Sequence, residues 1–71
     1  LDALIETKND IFIFEFKFKK PPEKALDQIK TKKYFEPYMS IKKPITLIGL
    51  TFDLEKKNIS SNWIIEKLKS Y

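Results

Sequence analysis

The sequence predicts an α/β fold: a mixed β-sheet that opens with an antiparallel hairpin, followed by a crossover helix and further strands. Three observations carry this. Residues 11–18, Ile-Phe-Ile-Phe-Glu-Phe-Lys-Phe, are an uninterrupted β-compatible run. Residues 23–33 have helical apolar spacing and lie between two proline breaks. Residues 45–53 are apolar on both faces, as a central strand of a mixed or parallel sheet should be.

Residues 3–7 read as a first short strand, and Lys8-Asn9-Asp10 as a polar turn. So short a link joins its strands as an antiparallel hairpin. Along the second strand, alternation puts Ile11, Ile13, Glu15 and Lys17 on one face and Phe12, Phe14, Phe16 and Phe18 on the other. The phenylalanine face is expected to fill the core. Lys19-Lys20-Pro21-Pro22 stops the strand, because proline donates nothing to a ladder and suits a helix's first turn.

In the helix, Ala25, Leu26 and Ile29 form the apolar stripe, with Gln28 on its flank. Glu23, Lys24, Asp27 and Lys30 face water. Tyr34, Phe35 and Tyr38 carry the pattern into a second helical turn that Pro37 makes irregular. Lys42-Lys43-Pro44 breaks the chain before the second long strand, and 55–58 is a charged turn. Residues 59–71 suit either a short strand with a tail or an amphipathic helix, and periodicity does not decide. The helix between the two long strands implies a right-handed crossover.

Length and composition set limits. Seventy-one residues make one small domain with marginal stability of its own. The chain opens on Leu1-Asp2-Ala3-Leu4, as the middle of a domain would, and 1–71 reads as a single partial domain. With no histidine and no cysteine, it holds no Ser-His-Asp or Cys-His machinery and no His/Cys zinc site. Any metal must take oxygen ligands, which favours Mg2+ or Mn2+. The absence of cysteine fits a cytoplasmic setting. The net charge of +4 suits a polyanion partner. No apolar run approaches a membrane span.

Charges on a strand this apolar cost stability unless they are paired, metal-bound or at an edge. Glu15 and Lys17 share a face, roughly 6.6–7 Å apart. A hairpin turning near residues 8–10 brings Asp2 opposite Glu15 or Phe16. Two carboxylates from adjacent strands suit one hard cation, with a lysine beside it. The plainer alternatives are a surface ion pair for Glu15 and Lys17, a frayed terminus for Asp2 and a solvated position for Gln28. Glu6, close to the turn, is expected at the surface. Tyr34 and Tyr38 favour packing over substrate stacking. The lysines at 19, 20, 24, 30, 32, 33, 42 and 43 form either a solvated surface or a phosphate-contacting rim.

The series Asp2, then Phe14-Glu15-Phe16-Lys17, then Ala25-Leu26-Asp27-Gln28-Ile29, then Tyr34-Phe35-Glu36-Pro37-Tyr38 resembles the PD-(D/E)XK nuclease superfamily. It looks closest to the branch found at the C-terminus of AAA-ATPase-like proteins of bacteria and archaea. The resemblance implies a restriction-endonuclease-like core with its N-terminal part missing, and Mg2+-dependent hydrolysis of DNA. Asp2, Glu15, Lys17 and Gln28 would be catalytic. Metal ligands would be Asp2, Glu15 and the Phe16 carbonyl. Lys17 would orient the attacking water and stabilise the developing charge, while Tyr34 and Tyr38 would pack or line the rim. It further implies an AAA-ATPase-like domain in the full-length chain. Two other readings remain open: a non-catalytic nucleic-acid-binding or protein-interaction module of the same fold, and a homo-oligomer formed through exposed strand edges.

Overall fold

The computed structural model describes residues 2–52 and 62–68. β1 (Ala3–Glu6) turns into β2 (Ile11–Phe18) through the segment expected from its polar residues. There the Thr7 N–H donates to the Asp10 carbonyl at 2.8 Å. The Thr7 hydroxyl oxygen accepts the Asn9 and Asp10 N–H groups at 3.3 and 3.0 Å. Beyond β2, Lys19 takes a left-handed conformation (φ 58°) and the chain enters α1 (Pro22–Lys32). Pro22 occupies the first helical position, where a missing N–H costs nothing. Lys33, also left-handed, closes the helix by donating its N–H to the Ile29 carbonyl. Tyr34 and Phe35 then lead into a 3-10 helix, Glu36–Ile41, with Pro37 in its first turn. β3 (Ile45–Phe52) and β4 (Trp63–Lys67) complete the sheet. The charged turn expected at 55–58, together with Asp53, 59–61 and 69–71, lies outside the described residues. Within 59–71, the described part settles on a strand.

The strand order is β1-β2-β3-β4. β1 and β2 are antiparallel, from Ala3↔Phe14 to Glu6↔Ile11. β2 and β3 are parallel in register Ile11↔Ile45 through Phe18↔Phe52, with α1 as their crossover. β3 and β4 are antiparallel, from Thr46↔Lys67 to Leu50↔Trp63. β3 is thus a central strand, as its two apolar faces predict.

The core lies on the isoleucine face of the sheet, which corrects the expectation for Phe12, Phe14, Phe16 and Phe18. Ile11, Ile13, Ile45 and Leu47 pack against Leu26 and Ile29 of α1, and Tyr34, Phe35, Tyr38 and Met39 add to the same cluster. Each fully buried isoleucine or leucine contributes about 1.5–3 kcal/mol. On the opposite face Phe12 and Phe14 are half-buried, while Phe16 and Phe18 remain 47% and 53% exposed. The physical reason is that α1 covers only one face, and its flank supplies a partner for the charges there. A carboxylate that accepts hydrogen bonds can be buried, so charge did not mark the solvent side.

Gly49, the chain's single glycine, fixes how closely α1 sits. A Cβ there would lie 2.6 Å from the Pro22 carbonyl oxygen and 2.9 Å from the Leu26 nitrogen, both backbone atoms. The helix therefore rests directly on the sheet at this point. Gly49→Ala is expected to push α1 away and to destabilise the fold by about 1–3 kcal/mol, measured by urea unfolding. An unchanged unfolding midpoint would contradict the contact.

Candidate active site

β2 brings Glu15 and Lys17 onto the helix-covered face, and Gly49, the parallel partner of Glu15, lets α1 descend beside them. Gln28, one turn past Lys24, is thereby carried over the pair. Its amide nitrogen donates to Glu15 Oε2 at 2.8 Å, and its amide oxygen accepts from Lys17 Nζ. The two partners fix the amide's orientation, because a carboxylate only accepts and an ammonium only donates. Glu15 is 5% exposed. Lys17 and Gln28 are half-buried.

Asp2 lies just past the end of the β1–β2 ladder. Its N–H donates to the Phe14 carbonyl at 3.2 Å, and its Oδ2 accepts the Phe16 N–H at 2.8 Å. This holds the Asp2 carboxylate across from Glu15 and Phe16, where the hairpin register predicts it. Glu15, Lys17 and Gln28 thus meet through the Gln28 amide, and Asp2 is held at the neighbouring Phe16.

Tyr34 joins this group from beyond the helix end. Gln28 Nε2 donates to its hydroxyl at 3.5 Å, while the ring packs against the core. That amide donor favours the phenolate and holds the Tyr34 hydroxyl below the usual tyrosine range. Tyr38 packs against the core instead. Glu6 lies at the far end of the hairpin, on the surface, and accepts from Lys43 at 2.6 Å.

Two contributors were not foreseen in the sequence: Gly49, and buried Thr51, whose hydroxyl donates to the Lys20 carbonyl and ties the chain between β2 and α1 to β3. An isolated glycine in an apolar strand was the available signal for the first, since it marks close approach of another backbone. A hydroxyl bonded 31 positions away leaves no local sequence signal.

The donors that Asp2, Glu15 and Phe16 can offer are all oxygen: two carboxylates and a main-chain carbonyl. Among the described residues no group of three or more His, Cys, Asp or Glu comes together. Two carboxylates plus a carbonyl fit a cation such as Mg2+, which keeps several of its waters. Gln28 is the hinge of the arrangement. Gln28→Leu leaves the buried Glu15 carboxylate without that donor, and a loss of about 1–3 kcal/mol is expected in urea unfolding. The same substitution should return the Tyr34 titration upward, read as the ultraviolet difference between this variant and its Tyr34→Phe derivative. A Tyr34 titration that does not move would contradict the Gln28–Tyr34 contact.

A family model described as the PD-(D/E)XK nuclease superfamily matches residues 1–67. No curated protein and no solved structure matches the chain. The matched stretch contains all four strands, α1 and every residue of the cluster around Gln28. Members of this superfamily generally use divalent metal ions. With its mixed four-stranded sheet and crossover helix, the chain belongs to the PD-(D/E)XK nuclease superfamily and has a restriction-endonuclease-like α/β fold.

Proposed function

We propose that this chain is the core of a metal-dependent nuclease that hydrolyses phosphodiester bonds in DNA. The observation that carries the reading is the Gln28 amide, which holds Glu15 and Lys17 together on the face where Asp2 also arrives. Family membership makes hydrolysis of a phosphodiester the natural use of such a set. Asp2, Glu15 and the Phe16 carbonyl would hold the Mg2+ or Mn2+. When bound, that ion supplies charge neutralisation at the phosphate and lowers the pKa of a coordinated water.

The chain's own residues have separable tasks. Lys17 presents an ammonium beside the carboxylates, where it orients the attacking water and stabilises negative charge that develops on the phosphate. Gln28 keeps Lys17 directed along this face by accepting one of its three N–H donors, which leaves two for water and phosphate. The same amide holds the Glu15 side chain in a single orientation. Asp2 is anchored through the Phe16 N–H, so both carboxylates are positioned before any substrate arrives. The net charge of +4 favours a polyanionic substrate. The resemblance to the C-terminal branch of AAA-ATPase-like proteins supports a place for this core in a longer chain with such a domain.

Two measurements test the proposal. Glu15→Ala and Lys17→Ala should each lower cleavage of a DNA duplex by about 10²–10⁴-fold while circular dichroism stays native. Cleavage persisting in either folded variant would reject these roles. Calorimetric titration of Mg2+ or Mn2+ should give binding in the wild type that is lost in Glu15→Ala.

A further inference from the structure

Beside Lys17 and Gln28 lies an open groove of about 570 Å³, walled by α1 and the chain leading into it. Lys17, Lys20, Lys24 and Lys32 line it, against a single carboxylate, Asp27. The other lysines of this region are engaged differently. Lys30 pairs with Glu66 at 3.1 Å, Lys33 with Glu36 at 3.8 Å and Lys43 with Glu6 at 2.6 Å. Lys19 lies over the Phe18 ring, 5.8 Å from its centre. Among the described residues, no carboxylate lies within ion-pairing distance of Lys20, Lys24 or Lys32. Three exposed ammonium groups left without an acid partner in one concavity make an anion site of the groove rather than part of a balanced surface.

The helix sets the spacing. Lys24, Gln28 and Lys32 follow one another at intervals of four on a single face of α1, so the two lysines stand about 12 Å apart along the axis with Gln28 between them. That span is too long for one phosphate group. None of the described residues lining the groove is aromatic, so it offers bases no stacking surface. Lysine is a point charge without the planar fork of arginine, and it serves readily as a phosphate contact.

We propose that this groove binds successive phosphodiester groups of a nucleic-acid strand through Lys20, Lys24 and Lys32, holds the strand against Lys17, and does so without regard to base sequence. The inference rests on the nuclease reading for its ligand but not for its test. Phosphate contacts position a strand and carry no sequence information. Asp27 opposes the bound strand and moderates its affinity.

The test is fluorescence anisotropy of the chain with labelled DNA duplexes of two unrelated sequences, without divalent metal, across a series of salt concentrations. The double variant Lys24→Gln/Lys32→Gln should bind both duplexes about tenfold more weakly, with a log–log salt slope shallower by about 1.8. Asp27→Asn should bind more tightly than wild type. Lys42→Gln, an exposed lysine outside the groove, should bind as wild type does. A double variant with wild-type affinity and salt slope overturns the groove, as does a Lys42→Gln loss of equal size. Cleavage is read separately after Mg2+ is added. Binding through the groove without any cleavage would leave this inference standing and reject the nuclease reading. Cleavage by a wild type whose binding ignores Lys24 and Lys32 would do the reverse.

Discussion

The contact between α1 and β3 at Gly49 is the constraint on which the site depends. Two backbone atoms of the helix occupy space that any side chain on Gly49 would need. Gly49 pairs in register with Glu15, so the point of closest approach lies beside the buried carboxylate. Gln28 follows the helix start by under two turns, and a displaced helix would carry its amide away from both partners. The structure reserves glycine for this use. Three positions with left-handed backbone, Lys19, Lys33 and Lys42, are filled by lysine, although glycine would sit there with less strain. Gly49 has no such backbone, so its role is room, not conformational freedom.

Burial of Glu15 follows from that approach. A carboxylate inside an apolar layer is strongly disfavoured without hydrogen bonds or a countercharge. Here the Gln28 amide offers the first, and Lys17 is joined to the same amide. The helix can therefore cover the face of β2 that carries charge, and the all-phenylalanine face is left to the other side. On that other face Phe18 and Phe52 stack at 6.4 Å between centroids, and Trp63 of β4 pairs in register with Leu50.

Much of this architecture was legible in the chain. β2 begins and ends where its alternating run does, and α1 is displaced by a single residue from the segment set by the prolines. The hairpin register that set Asp2 opposite Glu15 or Phe16 followed from the turn residues alone. The side of the sheet that holds the core did not. Alternation divides a strand into two faces, but it does not say which one a helix will cover when both are largely apolar. Part of the answer lay in Gln28, thirteen positions from Glu15, whose hydrogen bond offsets some of the usual penalty for burying an acid. Lysine pairing was equally hidden, since Lys30 meets Glu66 and Lys43 meets Glu6 only after the sheet has formed.

The resulting division of charge is a consequence of helix geometry. Every fourth residue of α1 faces the same way, so the row through Gln28 also contains Lys24 and Lys32. Ile29 and Leu26, on the adjoining stripe, enter the core. A single helix thus joins three environments: an apolar stripe that anchors it, an amide that organises a buried acid and its lysine, and an exposed basic row. A shift of one residue in the helical register would exchange these assignments, placing Ile29 where Gln28 binds Glu15 and an apolar side chain against a carboxylate. The cost of that exchange is a lost charge-assisted hydrogen bond, about 1.5–3 kcal/mol, together with the core burial of Ile29. Packing and site therefore select the same register, so the interaction that organises the acid and lysine also helps specify the fold.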